Sequence, residues 1–286
     1  MTDGENYPGG GLSQEVPLLT IGELAKAFDL HPQTLRYYDE EGLIEPARFG
    51  DGGRRKYSYY DMYRVMLRRQ QKNMGGNVRE SGDIFHCCSL EKYLRFVDRC
   101  QRRTEAEKQR LEIRERGICR LRRGMDRIAT CLGRCVYDER PDMWRVPHIV
   151  DKKLVQDESS NQARKILADT APLCSFSFEF DPENTAAPDY YRWDVAANGG
   201  DAELAGLDKV PGAIFVPGKL CLYTIFRMTG REAVTVAQIK YALDFIRSNR
   251  LRACGKIYGN VIVEFTDFDG LTERYFEAWI AVEDDD

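Results

Sequence analysis

Hydrophobic positions along the chain fall into three successive patterns. From Leu18 they recur at helical spacing: Ile21, Leu24, Ala25 and Phe28 share one face, with Thr20 and Glu23 placed to form a capping box. Asp29-Leu30-His31 predicts a short turn, and Pro32 opens a second helix carrying Thr34, Leu35, Tyr38 and Glu41 to Gly42. Two short helices around a tight turn are a helix-turn-helix signature. The polar stretch Glu45–Ser58, with Gly50, Gly52 and Gly53, predicts a hairpin wing with a flexible tip. A third helix is expected over Tyr59–Gln71, with Arg64, Arg68, Arg69 and Lys72 exposed, and a short fourth near Val78–Cys87.

The second period is seven. Leu90, Val97, Thr104, Leu111, Ile118, Met125 and Leu132 are spaced by heptads. Three residues after each come Tyr93, Cys100, Glu107, Arg114, Leu121, Ile128 and Cys135. Such a run predicts a long coiled-coil helix. One helix cannot bury its own stripe, so a second copy of the chain is the expected partner; an intramolecular bundle helix is the alternative. Thr104, Glu107 and Arg114 weaken the seam and fix its register.

Beyond Pro141 and Pro147 the pattern alternates between strand and helix. Strands are expected at Arg145–Val150, Leu173–Phe180, Tyr190–Ala196, within Ala213–Met228, at Val261–Phe265 and at Arg274–Val282. Helices are expected at Ser160–Ala168 and Val234–Arg250, the latter with Val236, Ile239, Ala242, Leu243 and Ile246 inward. The order is roughly βαββ twice, so the fold class is α+β: a winged helix-turn-helix, a long antiparallel coiled-coil dimer helix, and an antiparallel-sheet βαββ-repeat domain. The expected divisions are a disordered tail (1–17), a DNA-binding domain (18–88), a dimer helix (89–133) and a C-terminal domain (141–286).

Charge sharpens this picture. The 286 residues carry a net charge of −4, but residues 1–145 hold 27 Lys+Arg against 23 Asp+Glu, and residues 146–286 hold 15 against 23. Within 54–79 the ratio is 8 to 1. A basic stretch in one half and acidity in the other suggest polyanion binding at one end and a different task at the other. The nine cysteines form no CxxC pair, so reduced thiols are expected. The polar start, Met1–Pro17, has no signal-peptide pattern, and no apolar run is long enough for a membrane span, so the expected location is cytoplasmic. No Ser/His/Asp set and no nucleotide loop is present, so an enzyme is not expected and no cofactor is implied.

The runs Ile21-Gly22-Glu23-Leu24-Ala25, Thr34-Leu35-Arg36-Tyr37-Tyr38-Asp39, Gly42-Leu43-Ile44 with Pro46, and Arg55-Lys56-Tyr57-Ser58 with Asp61 resemble the MerR family of bacterial transcription regulators over residues 18–135. His31, Arg54 and the Gly-rich turn before the fourth helix depart from the family pattern. The resemblance implies a homodimer that binds a near-palindrome in promoter DNA, bends and untwists it on binding a small-molecule effector, and so realigns the promoter for RNA polymerase. The residues fit a DNA surface in their own right. Arg36 suits a guanine edge or a phosphate, Gln33 near the helix start suits adenine, and Tyr37 and Tyr38 suit phosphates, one ring also anchoring the helix. Thr34 shares this helix. Arg54, Arg55, Lys56 and Tyr57 are expected to meet the backbone of double-stranded DNA.

The βαββ pattern and terminal strands of residues 141–286 are similar to the GyrI-like effector-binding domain of multidrug-sensing regulators. Alternation puts Asn260, Ile262 and Glu264 on one strand face, and Tyr275, Glu277 and Trp279 on one face of the next. A carboxylate between two aromatic rings makes sense if a cation fills the site. The resemblance implies a pocket for cationic, lipophilic compounds. Glu264 and Glu277 are its candidate carboxylates, with Tyr258, Tyr275 and Trp279 as walls and Phe176, Phe178, Tyr191, Trp193 and Tyr223 completing it. One alternative is a metal or thiol sensor using Cys87, Cys88, Cys131 and Cys135 at the ends of the dimer helix. Another is a small-molecule-binding domain with hydrolytic activity, its carboxylates doing acid–base work.

Overall fold

The computed structural model describes residues 18–49, 54–77, 80, 82, 84, 89–181, 192–230 and 232–284. The expected tail, the hairpin tip, most of the fourth helix, Tyr191, Cys87 and Cys88 lie outside the described residues. The chain divides into two units, residues 1–108 and 109–286.

Unit 1 is built on caps. Helix α1 (Ile21–Ala27) starts where Thr20 Oγ1 accepts from the Glu23 amide at 3.3 Å and Glu23 accepts from the Thr20 amide at 2.7 Å. Helix α2 (Pro32–Glu40) is capped by His31, whose Nδ1 accepts from the Gln33 amide. Strands β1 (Ala47–Phe49) and β2 (Arg54–Lys56) form an antiparallel hairpin. Helix α3 (Tyr59–Asn73) has a second capping box, Ser58 with Asp61, and Asp61 also accepts from the Glu45 amide. The core joins Leu24, Ala25, Leu35, Tyr38, Leu43, Ile44, Tyr57 and Val65.

The α3 face differs from expectation. Arg64 and Arg68 are buried rather than exposed. Arg64 donates to Glu45 and to the Gly42 carbonyl, and Arg69 donates to the Phe28 carbonyl. The guanidinium groups of Arg64 and Arg69 thus find oxygens, which the letter R alone does not reveal, whereas Nε and Nη1 of Arg68 are buried without a hydrogen-bond partner.

Helix α4 (Leu90–Cys131) confirms a long helix where the heptads run. Its two rows behave differently. In unit 2, Leu111, Ile118, Met125 and the following Leu132 are exposed. The other row turns inward: Ile128 packs with Cys131, Tyr223, Ile225 and Trp279. Glycines permit the approach. A Cβ on Gly124 would sit 2.8 Å from Ile262 Cγ2, and one on Gly117 would sit 3.1 Å from the Leu173 amide nitrogen. The stripe read as one seam is therefore split, with part of it already buried within the chain.

Unit 2 continues with β3 (Val136–Arg140), β4 (Met143–Val150), β5 (Lys153–Leu154), α5 (Glu158–Thr170), β6 (Ser175–Phe180), β7 (Arg192–Asn198), α6 (Gly199–Ala205), β8 (Ile214–Val216), β9 (Lys219–Thr229), α7 (Lys240–Ser248), β10 (Leu251–Ala253), β11 (Ile257–Thr266), β12 (Thr272–Ile280) and β13 (Val282–Asp284). The main sheet runs β3-β9-β12-β11-β6-β7-β4-β5, with β8 beside β4, and its pairings are antiparallel. The helix expected over Val234–Arg250 is shorter: a 3-10 turn at Val236–Ile239 precedes α7. Strand β3 and helix α6 were not apparent from the sequence pattern. The first is short and mostly polar, and the second begins with two glycines.

The two sheet faces differ chemically. One buries Phe178, Phe226, Phe276 and Ile280 against Ile239, Ala242 and Ile246. The other carries Glu277, Asn260, Ser177 and Asp194, brought into one lateral row by strand pairing, with Tyr223 in register with Trp279 beside it.

Candidate functional site

Helix α2 presents two sides. Leu35 and Tyr38 are buried, while Gln33, Arg36 and Tyr37 are exposed. The Arg36 guanidinium donates to Gln33 Oε1 at 3.1 Å, so these two side chains form one polar unit on the open face. Thr34 is half-buried, and its amide closes the first turn onto the His31 carbonyl. Of the two tyrosines, Tyr38 is the anchoring ring and Tyr37 the open one. On β2, Arg54 is exposed and Lys56 half-buried, while Arg55 is held 2.6 Å from Asp39. Tyr57 does not join this face. It is fully buried and exchanges both backbone hydrogen bonds with Leu19. It was counted among the contacts because it ends a basic run, but the isolated bridge to Leu19 turns it inward.

In unit 2 a cavity of about 750 Å³ lies between α4 and the sheet. Glu277, Trp279, Ile262, Leu121, Gly124 and Phe176 line it, together with Arg120, Arg123 and Arg127. Glu277 Oε2 accepts from the Tyr223 hydroxyl at 3.0 Å, and Oε1 accepts from Asn260 Nδ2 at 3.2 Å. Burial pushes the Glu277 carboxyl above the usual carboxylate range, against the pull of Arg120, Asn260, Tyr223 and Arg127. Burial, then the neighbouring Glu277, raises the Tyr223 hydroxyl as well. Tyr223 meets Trp279 edge-on at 5.3 Å, and Arg127 lies 3.6 Å over the Tyr223 ring while pairing with Asp138 at 2.7 Å. The indole Nε1 of Trp279 is buried without a hydrogen-bond partner.

The other sequence candidates fall in different places. Val261 pairs with Phe276 but Val263 pairs with Tyr275, so the ladder bulges at Ile262. Beyond the bulge the alternation inverts. Glu264 pairs with Arg274 rather than falling in phase with Glu277, and stands exposed at the cavity rim. Phe178 and Trp193 belong to the opposite, apolar face, where Phe178 lies 6.2 Å from Phe276 and Trp193 lies 6.4 Å from it. Tyr275 shares the Glu277 face by register, but its hydroxyl donates to Glu273 and its ring stacks on Phe265. Tyr258 is enclosed by Arg140 and Arg145, at 4.9 and 4.5 Å. Of the sequence candidates, Glu277, Trp279 and Phe176 line the cavity, Glu264 stands at its rim, and Tyr223 joins them through its hydrogen bond to Glu277. Sequence reading missed Asn260 as a Glu277 partner and the arginines of α4. A signal existed: Arg116, Arg120, Arg123 and Arg127 recur at four, three and four residues, which is one helix face.

For the thiol alternative, Cys131 is buried and Cys135 half-buried, and burial pushes the Cys135 thiol up, away from the thiolate a metal needs. Among the described residues no group of His, Cys, Asp and Glu side chains is arranged to hold a metal ion.

A capped helix pair with an exposed polar recognition side, followed by a hairpin, defines unit 1 as a helix-turn-helix. Residues 20–57 match the family described as MerR family regulatory protein. The HTH-type transcriptional regulator CueR of Escherichia coli O6:H1 is 32% identical over 66 residues, covering 23% of this chain and 49% of CueR. The HTH-type transcriptional regulator HmrR of Rhizobium leguminosarum bv. viciae is 29% identical over 128 residues, covering 43% of this chain and 92% of HmrR. The chain spans about half the length of CueR, the first of these relatives. Among solved structures, an EcmrR–DNA complex aligns with a TM-score of 0.35 and 16% identity, over 93% of this chain and 100% of that one. No helix among the described residues is long and apolar enough to cross a membrane.

Proposed function

We propose that this chain is a homodimeric, DNA-binding transcription regulator of the MerR type whose second unit receives a small-molecule effector. The observation that carries the DNA reading is the side of α2 bearing Gln33, Arg36 and Tyr37, turned away from the Leu35–Tyr38 core in a segment that matches the MerR family. Such a helix seats in the major groove and reads base edges, while Arg54, Arg55 and Lys56 neutralise phosphates. The hairpin is then the wing. Exposed Leu111, Ile118, Met125 and Leu132 supply the seam for a second copy, packed antiparallel.

In unit 2, Glu277 is the recognition point for a lipophilic effector carrying a positive charge. Its carboxylate has only neutral hydrogen-bond partners, Tyr223 and Asn260, and aromatic walls beside it. The two βαββ halves of this unit are a duplicated motif, and the cavity sits on the sheet face they share with α4. Effector binding shifts the dimer between two states that deform promoter DNA differently, at a cost of order 1–6 kcal/mol that the effector's differential binding must match. RNA polymerase reads the outcome, and the protein works in the cytoplasm by binding rather than by turnover.

The test is selection of duplex DNA by the purified full chain from a randomised library at about 0.15 M salt. Enrichment of a near-palindrome, lost in Arg36→Ala, supports the reading. Salt-sensitive binding without any enriched sequence overturns it.

A further inference from the structure

Unit 2 holds positive charge that the reading above leaves unused. Arg116, Arg120, Arg123 and Arg127 share a face of α4 by their spacing, and the last three line the cavity. Two are satisfied by acids: Arg116 pairs with Asp201 at 3.3 Å and Arg127 with Asp138 at 2.7 Å. Arg120 and Arg123 are not. Arg120 donates to the Leu173 carbonyl at 2.6 Å and to Ser175 Oγ at 2.9 Å, both neutral. Arg123 makes a long bond, 3.4 Å, to the Cys119 carbonyl of its own helix. Among the described residues no carboxylate pairs with either one. Glu139 and Glu264, the remaining acids around the cavity, are exposed and pair with neither. Inside the same cavity stands Glu277, also without an ion pair. One space therefore holds a buried acid and two guanidinium groups, none of the three in an ion pair, with Arg120 close enough to pull on Glu277.

From this charge pattern we infer that the effector is an aromatic ampholyte: besides the positive group met by Glu277, it carries a carboxylate or phosphate held by Arg123 with Arg120 beside it. The inference rests on the effector reading of this cavity. A guanidinium fork matches a planar oxyanion in two parallel hydrogen bonds, which an ammonium cannot do. Arg120, fixed by two short bonds, is pre-organised. Arg123 is free to turn, so it supplies the closing contact. A ligand with a cation alone would leave both arginines without an ion pair and add a third positive charge beside them, which is unfavourable in a partly enclosed cavity.

The experiment is calorimetric titration of the full chain with four probes sharing a naphthalene core. These are 2-naphthylmethylammonium, 2-naphthoate, 6-(aminomethyl)-2-naphthoate and 6-(aminomethyl)-2-naphthyl phosphate. One of the two ampholytes is expected to bind at least about tenfold more tightly than the simple cation, since one charge-assisted contact is worth that much. Which of the two wins identifies the oxyanion. In Arg123→Gln, an exposed substitution with little to disturb, that advantage disappears, while the simple cation binds at least as tightly because one repelling charge is gone. In Glu277→Gln the simple cation weakens instead. If the cation binds as tightly as both ampholytes, or if Arg123→Gln changes nothing, the oxyanion is overturned and the Glu277 reading stands. If no probe binds at about 1 mM, the effector reading falls and the inference with it.

Discussion

Asp194 and Glu277 stand in one lateral row of the sheet, joined through Ser177 and Asn260 across β7, β6, β11 and β12, yet only Asp194 is ion-paired. Arg145 lies 3.0 Å and Arg192 3.1 Å from the Asp194 carboxylate, which is wholly buried. Glu277, on the next strand beyond the Asn260–Ser177 pair, has hydrogen bonds from neutral groups alone. The sheet thus builds two matching acid positions, closes one with arginines and leaves the other facing the cavity.

The two positions should respond oppositely to neutralisation. Asp194→Asn leaves the buried Arg145 with Glu179 as its remaining acid, and removing one partner of a buried pair costs about 3–5 kcal/mol. Glu277→Gln removes a charge that burial disfavours, and is expected to raise the melting temperature at neutral pH. Because the folded state raises the Glu277 pKa, its contribution to stability is complete below the unfolded value and is lost as pH rises through the folded one. The gain from Glu277→Gln should therefore be present at pH 8 and fade toward pH 4, as thermal melts across that range would reveal. A gain that grows toward acid pH would contradict the assignment.

The same proton couples to binding. A cationic ligand favours ionised Glu277, so its binding to the empty cavity releases a proton. Its affinity should rise with pH through the Glu277 pKa, up to about tenfold per pH unit at the limit, and become flat in Glu277→Gln. Titration in two buffers of different ionisation enthalpy measures the released proton directly.

Much of this arrangement was legible in the sequence, and the failures have local causes. The capping pair Thr20 and Glu23 and the face of α2 carrying Gln33 and Arg36 could be read from spacing, because both depend only on neighbours along the chain. Glu277 was legible for the same reason, flanked by Tyr275 and Trp279 on one strand. Glu264 was not, because the bulge at Ile262 inverts the alternation and no glycine marks it. Phe178 and Trp193 alternate correctly, but alternation does not say which sheet face is apolar. The heptads announced a helix without announcing that Ile128 packs inside the chain. The marker there was Gly117 and Gly124, seven residues apart, where α4 touches Pro172, Leu173 and Ile262.

Close approach makes two glycines sensitive. A Cβ on Gly259 would lie 2.0 Å from Phe178 Cζ and 2.3 Å from the Glu277 carbonyl oxygen, so Gly259→Ala forces backbone movement under the cavity. A loss of about 3 kcal/mol is expected, at the upper end for overpacking. Gly124→Val meets the Ile262 side chain and should cost less, about 1–2 kcal/mol, while narrowing the cavity. Chemical denaturation gives the first quantity for both variants. Probe affinity reports the second effect, which Gly124→Val should show.

The DNA face makes three predictions that separate positioning from reading. Arg36→Ala should cost about 1–3 kcal/mol on the preferred duplex and relax preference at one base position, because Arg36 lies on the exposed side of α2. Arg54→Ala should weaken all duplexes alike and lower the slope of log affinity against log salt by about one, the signature of a phosphate contact. Tyr57→Phe should change neither, since its hydroxyl is buried without a partner and its ring belongs to the core. Fluorescence anisotropy with the selected duplex and a scrambled one, at several salt concentrations, distinguishes the three. If Tyr57→Phe loses phosphate-type affinity with stability intact, the inward placement of Tyr57 is wrong, and β2 must present itself to DNA in another register.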